Sequence, residues 1–316
     1  MNLSKLKSLS GDASFRKFYR YNNIIIIESK KETKKNLLIY DAINKILNKN
    51  KIKAPKLISQ NYKSKNISVE DFGNDTVYRK IKKNNKKKLI YYKKIIKLLN
   101  SLQKIKTKKI KTFLGSIYEV PKYSKKILLN EARLFLDWYV PKKIKKQHQT
   151  LLKKKLILVL KSLINKIKFS NKTFVHRDFH VSNLMIKNKK LCLIDNQDAL
   201  IGNIAYDLAS LIDDVRLKTS KKFKQEIFEE YIKTNKKMNI NNFKNDFEIL
   251  SVLRNLKIIG IFTRLSIRDN KDNYLKLIPY AWKLIEQRTK KNKKFIELKT
   301  ILDKNFSKKK RIKYEN

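Results

Sequence analysis

The sequence predicts an α+β chain with a small β-rich N-terminal lobe and a large, mainly helical C-terminal lobe. Three observations carry that expectation. β-Branched and alternating runs crowd the first 75 residues, apolar residues then recur at helical spacing, and one strand–turn–strand segment interrupts the helical part near residue 180.

Taken in order, Phe15 to Tyr21 alternates, and Ile24 to Ile27 is a continuous β-branched run. Only Asn22-Asn23 separates them, which predicts an antiparallel hairpin. Leu37, Leu38, Ala42, Ile43, Ile46 and Leu47 recur as one face of a helix, and Pro55 marks a break. Ile67 to Gly73 reads as a strand running into a loop, so the first lobe is expected to span residues 1–75. Helical periodicity returns at 89–102, 127–138 and 151–167, and again at 223–234, 243–265 and 274–286. The second lobe is therefore expected over 76–300. Residues 301–316 are basic and poor in structure signals, and are expected to fray or stay disordered.

Seventy-eight Lys plus Arg against 27 Asp plus Glu leave a formal charge of +51. Such a charge attracts polyanions without specificity. The lysines run from end to end, mixed with Asn and Ile, which fits a uniform codon bias better than a selected nucleic-acid stripe; no specific nucleic acid is expected. The single cysteine, Cys192, excludes an internal disulfide and a multi-cysteine zinc site, and its apolar neighbours suit a buried strand thiol. No apolar run approaches a membrane span and no secretory signal is evident, so a soluble cytoplasmic chain is expected. Neither G-x-x-x-x-G-K-[ST] nor G-x-G-x-x-G occurs, which argues against P-loop and dinucleotide-binding folds.

The chemistry concentrates between Phe174 and Asp195. Asp178 sits in a loop between His176 and Asn183; Leu184 to Ile186 and Leu191 to Ile194 are short strands around a polar turn. That hairpin would carry Asp195 back beside Asn183. Phosphoryl transfer needs a group that orients the acceptor and takes its proton, and cations that neutralise phosphate charge. Asp178 suits the first task, while the amide oxygen of Asn183 and the carboxylate of Asp195 suit Mg²⁺. His176 reads as a loop organiser, and His180 as either an organiser or a substrate contact. Asp198 could rim the acidic pocket; Asp207 reads as structural, capping the following helix or holding the loop through Arg177. Near the N terminus, Gly11 permits a tight backbone approach, Ser14 offers a hydroxyl, and Arg16 and Arg20 share a strand face.

These motifs together resemble the aminoglycoside-phosphotransferase-like branch of the protein-kinase fold, and within it the bacterial anomeric kinases of N-acetylmuramate and N-acetylglucosamine. The matching stretches are Gly11–Arg20 (GDASFRKFYR), Glu70–Asn74 (EDFGN), His176–Met185, Ile194–Gly202, Tyr206–Leu211 and Asn255–Phe262. The resemblance implies a bilobal fold with ATP between the lobes. It implies adenine contacts at the Glu70–Phe72 backbone, phosphate cover from the Gly11–Arg20 hairpin, Asp178 as acid/base, and Asn183 and Asp195 as Mg²⁺ ligands. Glu131, Phe135, Trp138 and Tyr139 lie on a segment like the family's sugar-side helix, where an aromatic core stripe is an equal reading. Two departures stand out. Asn196 replaces the aromatic residue usual after the metal-binding Asp, and Ile24 to Ile27 lacks the lysine many protein kinases direct at the phosphates. Arg16, Arg20 or Lys30 is left to supply that charge. The expected substrate is a small sugar or alcohol. An aminoglycoside, a choline-like alcohol or another amino sugar remain alternatives, as does a non-catalytic polyanion-binding role.

Overall fold

The computed structural model describes residues 6–9, 16–29, 34–290 and 292–312. The chain packs into two compact units: Met1–Lys122 with Thr173–Ile201, and Tyr123–Lys172 with Gly202–Asn316.

In the first unit, β1 (Lys7–Leu9), β2 (Lys17–Tyr21), β3 (Ile24–Glu28), β4 (Leu57–Asn61) and β5 (Asn66–Glu70) form one sheet in the order β1-β2-β3-β5-β4. Each described pairing is antiparallel. Asn22 and Asn23 both have positive φ (41° and 63°), as the two-residue hairpin turn between β2 and β3 requires. Helix α1 (Lys34–Lys49) buries Leu37 and Tyr40 against Ile27, Ile67 and Val69 of the sheet. It ends where Lys51 turns left-handed and the Ile52 N–H reaches back to the Leu47 carbonyl at 3.0 Å.

Two helices follow, α2 (Val77–Lys83), capped by the Thr76 hydroxyl, and α3 (Lys88–Gln103), then a small hairpin of β6 (Lys109–Lys111) and β7 (Ile117–Glu119). The chain rejoins this unit with β8 (Thr173–Val175), β9 (Leu184–Lys187) and β10 (Lys190–Leu193), and β8 pairs with β11 (Leu200–Gly202). Backbone bonds fasten the late hairpin to the early chain: Ile186 N–H to the Asp75 carbonyl and Leu193 N–H to the Lys53 carbonyl, both 2.8 Å. The packing division therefore differs from the chain-order division expected at residue 75, because the late hairpin finds its hydrogen-bond partners in the early chain.

The second unit is helical: α4 (Lys125–Leu134), a π-helical turn (Phe135–Tyr139), α5 (Val140–Lys143), α6 (Lys146–Asn165), α7 (Tyr206–Ile212), α8 (Lys221–Thr234), α9 (Ile240–Asp269), α10 (Ile278–Thr289), α11 (Ile296–Asn305) and α12 (Lys308–Ile312). Helix α9 is the axis, packing on α4, α7 and α10, and it is buried along most of its 30 residues. At Gly260 a Cβ would lie 2.2 Å from the Leu134 carbonyl carbon, so only glycine lets α9 approach α4 this closely. Phe135, Tyr139, Trp282 and Phe306 form one aromatic cluster.

The tail corrects the expectation of disorder. Residues 301–312 are helical, with one break, because Arg311 is buried over the Trp282 ring (4.7 Å) and paired with Glu286 (2.5 Å) and Asp303 (2.6 Å). The Lys310 carbonyl accepts from the Tyr139 hydroxyl at 3.0 Å. Local composition gives no hint of those distant partners. No helix among the described residues is long and apolar enough to cross a membrane.

Candidate active site

β9 and β10 pair in the register Leu184↔Leu193, with Asn188 and Lys189 in the left-handed turn conformation. This register sets Asn183 beside the chain entering Asp195, and the Ile194 N–H donates to the Asn183 carbonyl at 3.1 Å. The preceding loop closes on itself. The Asp178 carbonyl accepts from the His180 N–H (3.1 Å) and from Asn183 Nδ2 (3.0 Å), while the His180 carbonyl accepts from the Asn183 N–H (2.9 Å). With its Nδ2 engaged inward, the Asn183 side chain keeps its Oδ1 for an outside ligand. His180 is buried in this turn, which fits the organiser reading rather than an exposed substrate contact.

Behind the loop lies a buried polar chain. His176 Nε2 is 2.9 Å from Asn196 Oδ1 and 3.1 Å from the Ile194 carbonyl. Asn196 Nδ2 donates to Asn44 Oδ1 on α1 (2.8 Å) and to the Leu193 carbonyl (3.1 Å). Asn196 thus replaces aromatic packing with a hydrogen-bonded link from α1 to the Asp178 loop. Being fully buried, it needs those partners. Next to it, the Tyr40 phenol is pushed up to about 12, chiefly by burial, with Asn44 hydrogen-bonded to it and Arg16 and Asp195 close enough to act on it.

The site is electrostatically frustrated. Asp195 opens to solvent on one side, but the surrounding protein raises its carboxyl above the ordinary range. The Gln197 amide, donating at 2.8 Å, pulls it back, while Asp178 and Asp198 push it further up. Both Arg177 (φ 74°) and Asp195 (φ 62°) occupy the left-handed region that side chains disfavour. Strain of that kind persists only where the surroundings hold it. Arg177 reaches Asp198 through its carbonyl (3.1 Å) and carboxylate (3.5 Å), so Asp198 is tethered at the rim. Among the described residues no group of three His, Cys, Asp or Glu could hold a metal. Two hard oxygen donors remain, Asp195 and Asn183. That set suits Mg²⁺, which keeps waters and takes phosphate oxygens for the rest of its octahedron.

At the end of β5, Phe72 packs on Met185, Cys192 and Ile194, with Lys53 (5.4 Å) and Lys187 (5.6 Å) over its ring. Lys187 also binds Glu70 (3.1 Å) and the Asp71 carbonyl (2.8 Å). Among the described residues the Phe72 backbone makes no hydrogen bond, leaving a donor and an acceptor for a planar base. Arg20 is committed to this turn, binding Asp71 (2.5 Å), the Gly73 carbonyl (2.9 Å) and Asn74 (2.7 Å). Arg16 is buried over the Tyr40 ring (5.7 Å) instead. Gly11, Ser14 and Lys30 lie outside the described residues. Cys192 is a buried strand thiol as expected, its pKa raised mainly by burial.

In the second unit, Glu131 pairs with Lys257 (3.1 Å) and accepts from the Tyr123 hydroxyl. Phe135 and Tyr139 belong to the aromatic core, while Trp138 is half-buried. Asp207 is buried in the first turn of α7, where its charge complements the helix dipole. Asn44, Tyr40, Lys53 and Lys187 were not singled out from sequence. Tyr40, Asn44 and Lys53 lie far before Asp178 in the chain, and Lys187 ends β9 just after it; the patterning of these segments announces no contact with the site.

Residues 5–239 match the model of a family described as the phosphotransferase enzyme family (APH). The chain is 24% identical over 310 residues to the N-acetylmuramate/N-acetylglucosamine kinase of Pseudomonas aeruginosa, covering 95% of this chain and 88% of that one. It is 32% identical over 166 residues to the enzyme of the same name from Neisseria meningitidis serogroup B, a match spanning 51% of this chain and half of the relative. Among solved structures, a choline/ethanolamine kinase family protein from Mesorhizobium loti superposes with a TM-score of 0.63 at 10% identity, covering 94% of this chain and 92% of that one. An APH(2″)-IIa bound to gentamicin also gives 0.63, at 14% identity, over 90% and 94%. These likenesses show an aminoglycoside-phosphotransferase- and choline-kinase-like fold.

Proposed function

The chain belongs to the phosphotransferase enzyme family, an ATP-dependent phosphotransferase acting on a hydroxyl group, and we propose that its acceptor is the anomeric hydroxyl of N-acetylmuramate or N-acetylglucosamine. The observation that carries the chemistry is the convergence of Asp178, Asn183 and Asp195 at one end of the β9–β10 hairpin. The names of the curated relatives favour the acceptor.

In this reading the Asp178 carboxylate orients the acceptor hydroxyl and takes its proton as the oxygen bonds to the γ-phosphorus and the bond to ADP breaks. Asn183 and Asp195 would hold Mg²⁺, which when bound supplies charge neutralisation for the phosphates. Burial first, and then the neighbouring Asp178 and Asp198, raise the Asp195 carboxyl; a cation held there would favour its ionised form. Phe72 presents its free backbone groups to adenine. Arg16, buried beside Tyr40, or Lys30 stands in for the missing strand lysine, since Arg20 is spent on the Asp71 turn. The chain Asn44–Asn196–His176 holds the loop in register with α1.

The test is transfer from ATP with Mg²⁺ across N-acetylmuramate, N-acetylglucosamine, choline and an aminoglycoside, with the product mapped by phosphorus NMR. The expected result is a 1-phosphate of an N-acetyl sugar. Transfer only to choline or the aminoglycoside would overturn the acceptor.

A further inference from the structure

A buried amide that serves only the fold spends both of its ends. Asn203 donates to Asp246 (2.7 Å) and to the Phe169 carbonyl (3.2 Å), and its Oδ1 accepts the Ala205 N–H at 2.9 Å. Asn196 is engaged at both ends as well, by Asn44 and by His176. Gln197 departs from this. Its Nε2 donates to Asp195 Oδ1 at 2.8 Å, while its Oε1 is buried and has no hydrogen-bond partner. A carboxylate only accepts, so the amide must turn its nitrogen toward Asp195 and its oxygen away. Leaving a buried oxygen unsatisfied is costly, so stability of the fold does not explain the orientation. What the orientation gains is a charge-assisted hydrogen bond on one oxygen of Asp195.

Asp195 and Asn183 are held in the same manner. Among the described residues no hydrogen bond reaches Asp195 Oδ2. Asn183 gives its Nδ2 to the Asp178 carbonyl at 3.0 Å, and its Oδ1 has no partner among them either. Each side chain is tied at one end by its own fold and keeps one oxygen unengaged. The tie matters more at Asp195, whose backbone sits at φ 62° and which opens to solvent on one side. Partners behind a metal ligand fix its orientation and tune the affinity of the site.

We infer that Gln197 is a positioning residue for the cation, holding Oδ1 of Asp195 so that Oδ2 is the oxygen offered. This rests on the assignment of Asn183 and Asp195 to Mg²⁺ proposed above, and adds a source of selectivity. One fixed oxygen from each side chain suits Mg²⁺, which keeps several waters. Ca²⁺ gathers more oxygens and often takes both from one carboxylate, which the Gln197 bond opposes.

The test is calorimetric binding of ATP to the full chain and to Gln197→Met, with a chelator, with Mg²⁺ and with Ca²⁺, alongside thermal melting. Methionine matches glutamine in length and has no amide. The wild-type chain should gain more ATP affinity from Mg²⁺ than from Ca²⁺. In Gln197→Met the gain from Mg²⁺ should fall about 10-fold, the low end of what losing a partner behind a metal ligand costs. The gain from Ca²⁺ should fall less. Binding in chelator and the melting temperature should hold, since the orphaned oxygen leaves together with the hydrogen bond. Equal gains from the two cations in the wild-type chain overturn the proposal, and that arm needs no variant to fold. A Mg²⁺ gain unchanged in Gln197→Met overturns it too. So does a lower melting temperature with ATP binding weakened alike under all three conditions, which marks a purely structural residue. The two readings fail separately. No gain from either cation in the wild-type chain removes the cation site itself, whereas a gain that survives in Gln197→Met removes Gln197 alone. No acceptor enters the experiment, so failure of the sugar assignment leaves its outcome untouched.

Discussion

Asp195 and Asp213 are both aspartates hemmed in by protein, and their surroundings push them in opposite directions. Burial alone would raise both. Around Asp213 the Arg288 and Lys224 charges, with the Ser251 hydroxyl, outweigh burial and hold the carboxyl well below the usual range. Around Asp195 only the Gln197 amide and His176 oppose burial, while Asp178 and Asp198 add repulsion. One aspartate is satisfied by cations of its own fold, and the other is set among further acids. The first arrangement stabilises; the second is kept at a cost to stability, as functional sites commonly are.

The comparison breaks most visibly in stability. Asp213→Asn should lose about 3–5 kcal/mol, because Lys224 is left buried, and Arg288 half-buried, without an anion. Asp195→Asn should leave the melting temperature unchanged or raise it, since it removes repulsion. Equal losses in thermal unfolding would erase the distinction. The pH dependence follows with a definite sign. A depressed folded pKa gives stability that is full above the unfolded value of about 3.9 and is lost as the pH falls below it. Wild-type melting should therefore drop on acidification below about pH 4, and Asp213→Asn should flatten that drop. Smaller but still large is Gly260→Ala, whose Cβ meets backbone of Leu134 and Phe135. About 3 kcal/mol is expected from forced separation of α9 and α4, read from denaturant unfolding. Last, Asn196→Leu strands Asn44 and His176, costing about 2 kcal/mol. It should also slow turnover more than it weakens ATP binding, because it loosens the Asp178 loop and leaves the nucleotide turn intact.

What the chain reveals of itself before folding is what is local. Asn22-Asn23 announces the first hairpin, because few residues tolerate two successive positive φ values. The spacing from Asn183 to Asp195 announces the second, whose polar turn Asn188-Lys189 folds the same way. What stays hidden is carried by distant partners. Asn196 gives no sign of Asn44, which lies 152 residues away. The helicity of 301–312 depends on Glu286 and Trp282, so a basic stretch that reads as a loose tail is docked.

The central claim is that Asp178 performs the proton transfer while Asn183 and Asp195 serve the cation. It is tested most directly by measuring ATP binding with and without Mg²⁺, and phosphoryl transfer to N-acetylmuramate, on the wild-type chain, Asp178→Asn and Asp195→Asn. Asp178→Asn should bind ATP as the wild type does yet transfer at least ~100-fold more slowly, and Asp195→Asn should lose the Mg²⁺ dependence of binding. Near-normal turnover by Asp178→Asn, or Mg²⁺-dependent binding intact in Asp195→Asn, would contradict it.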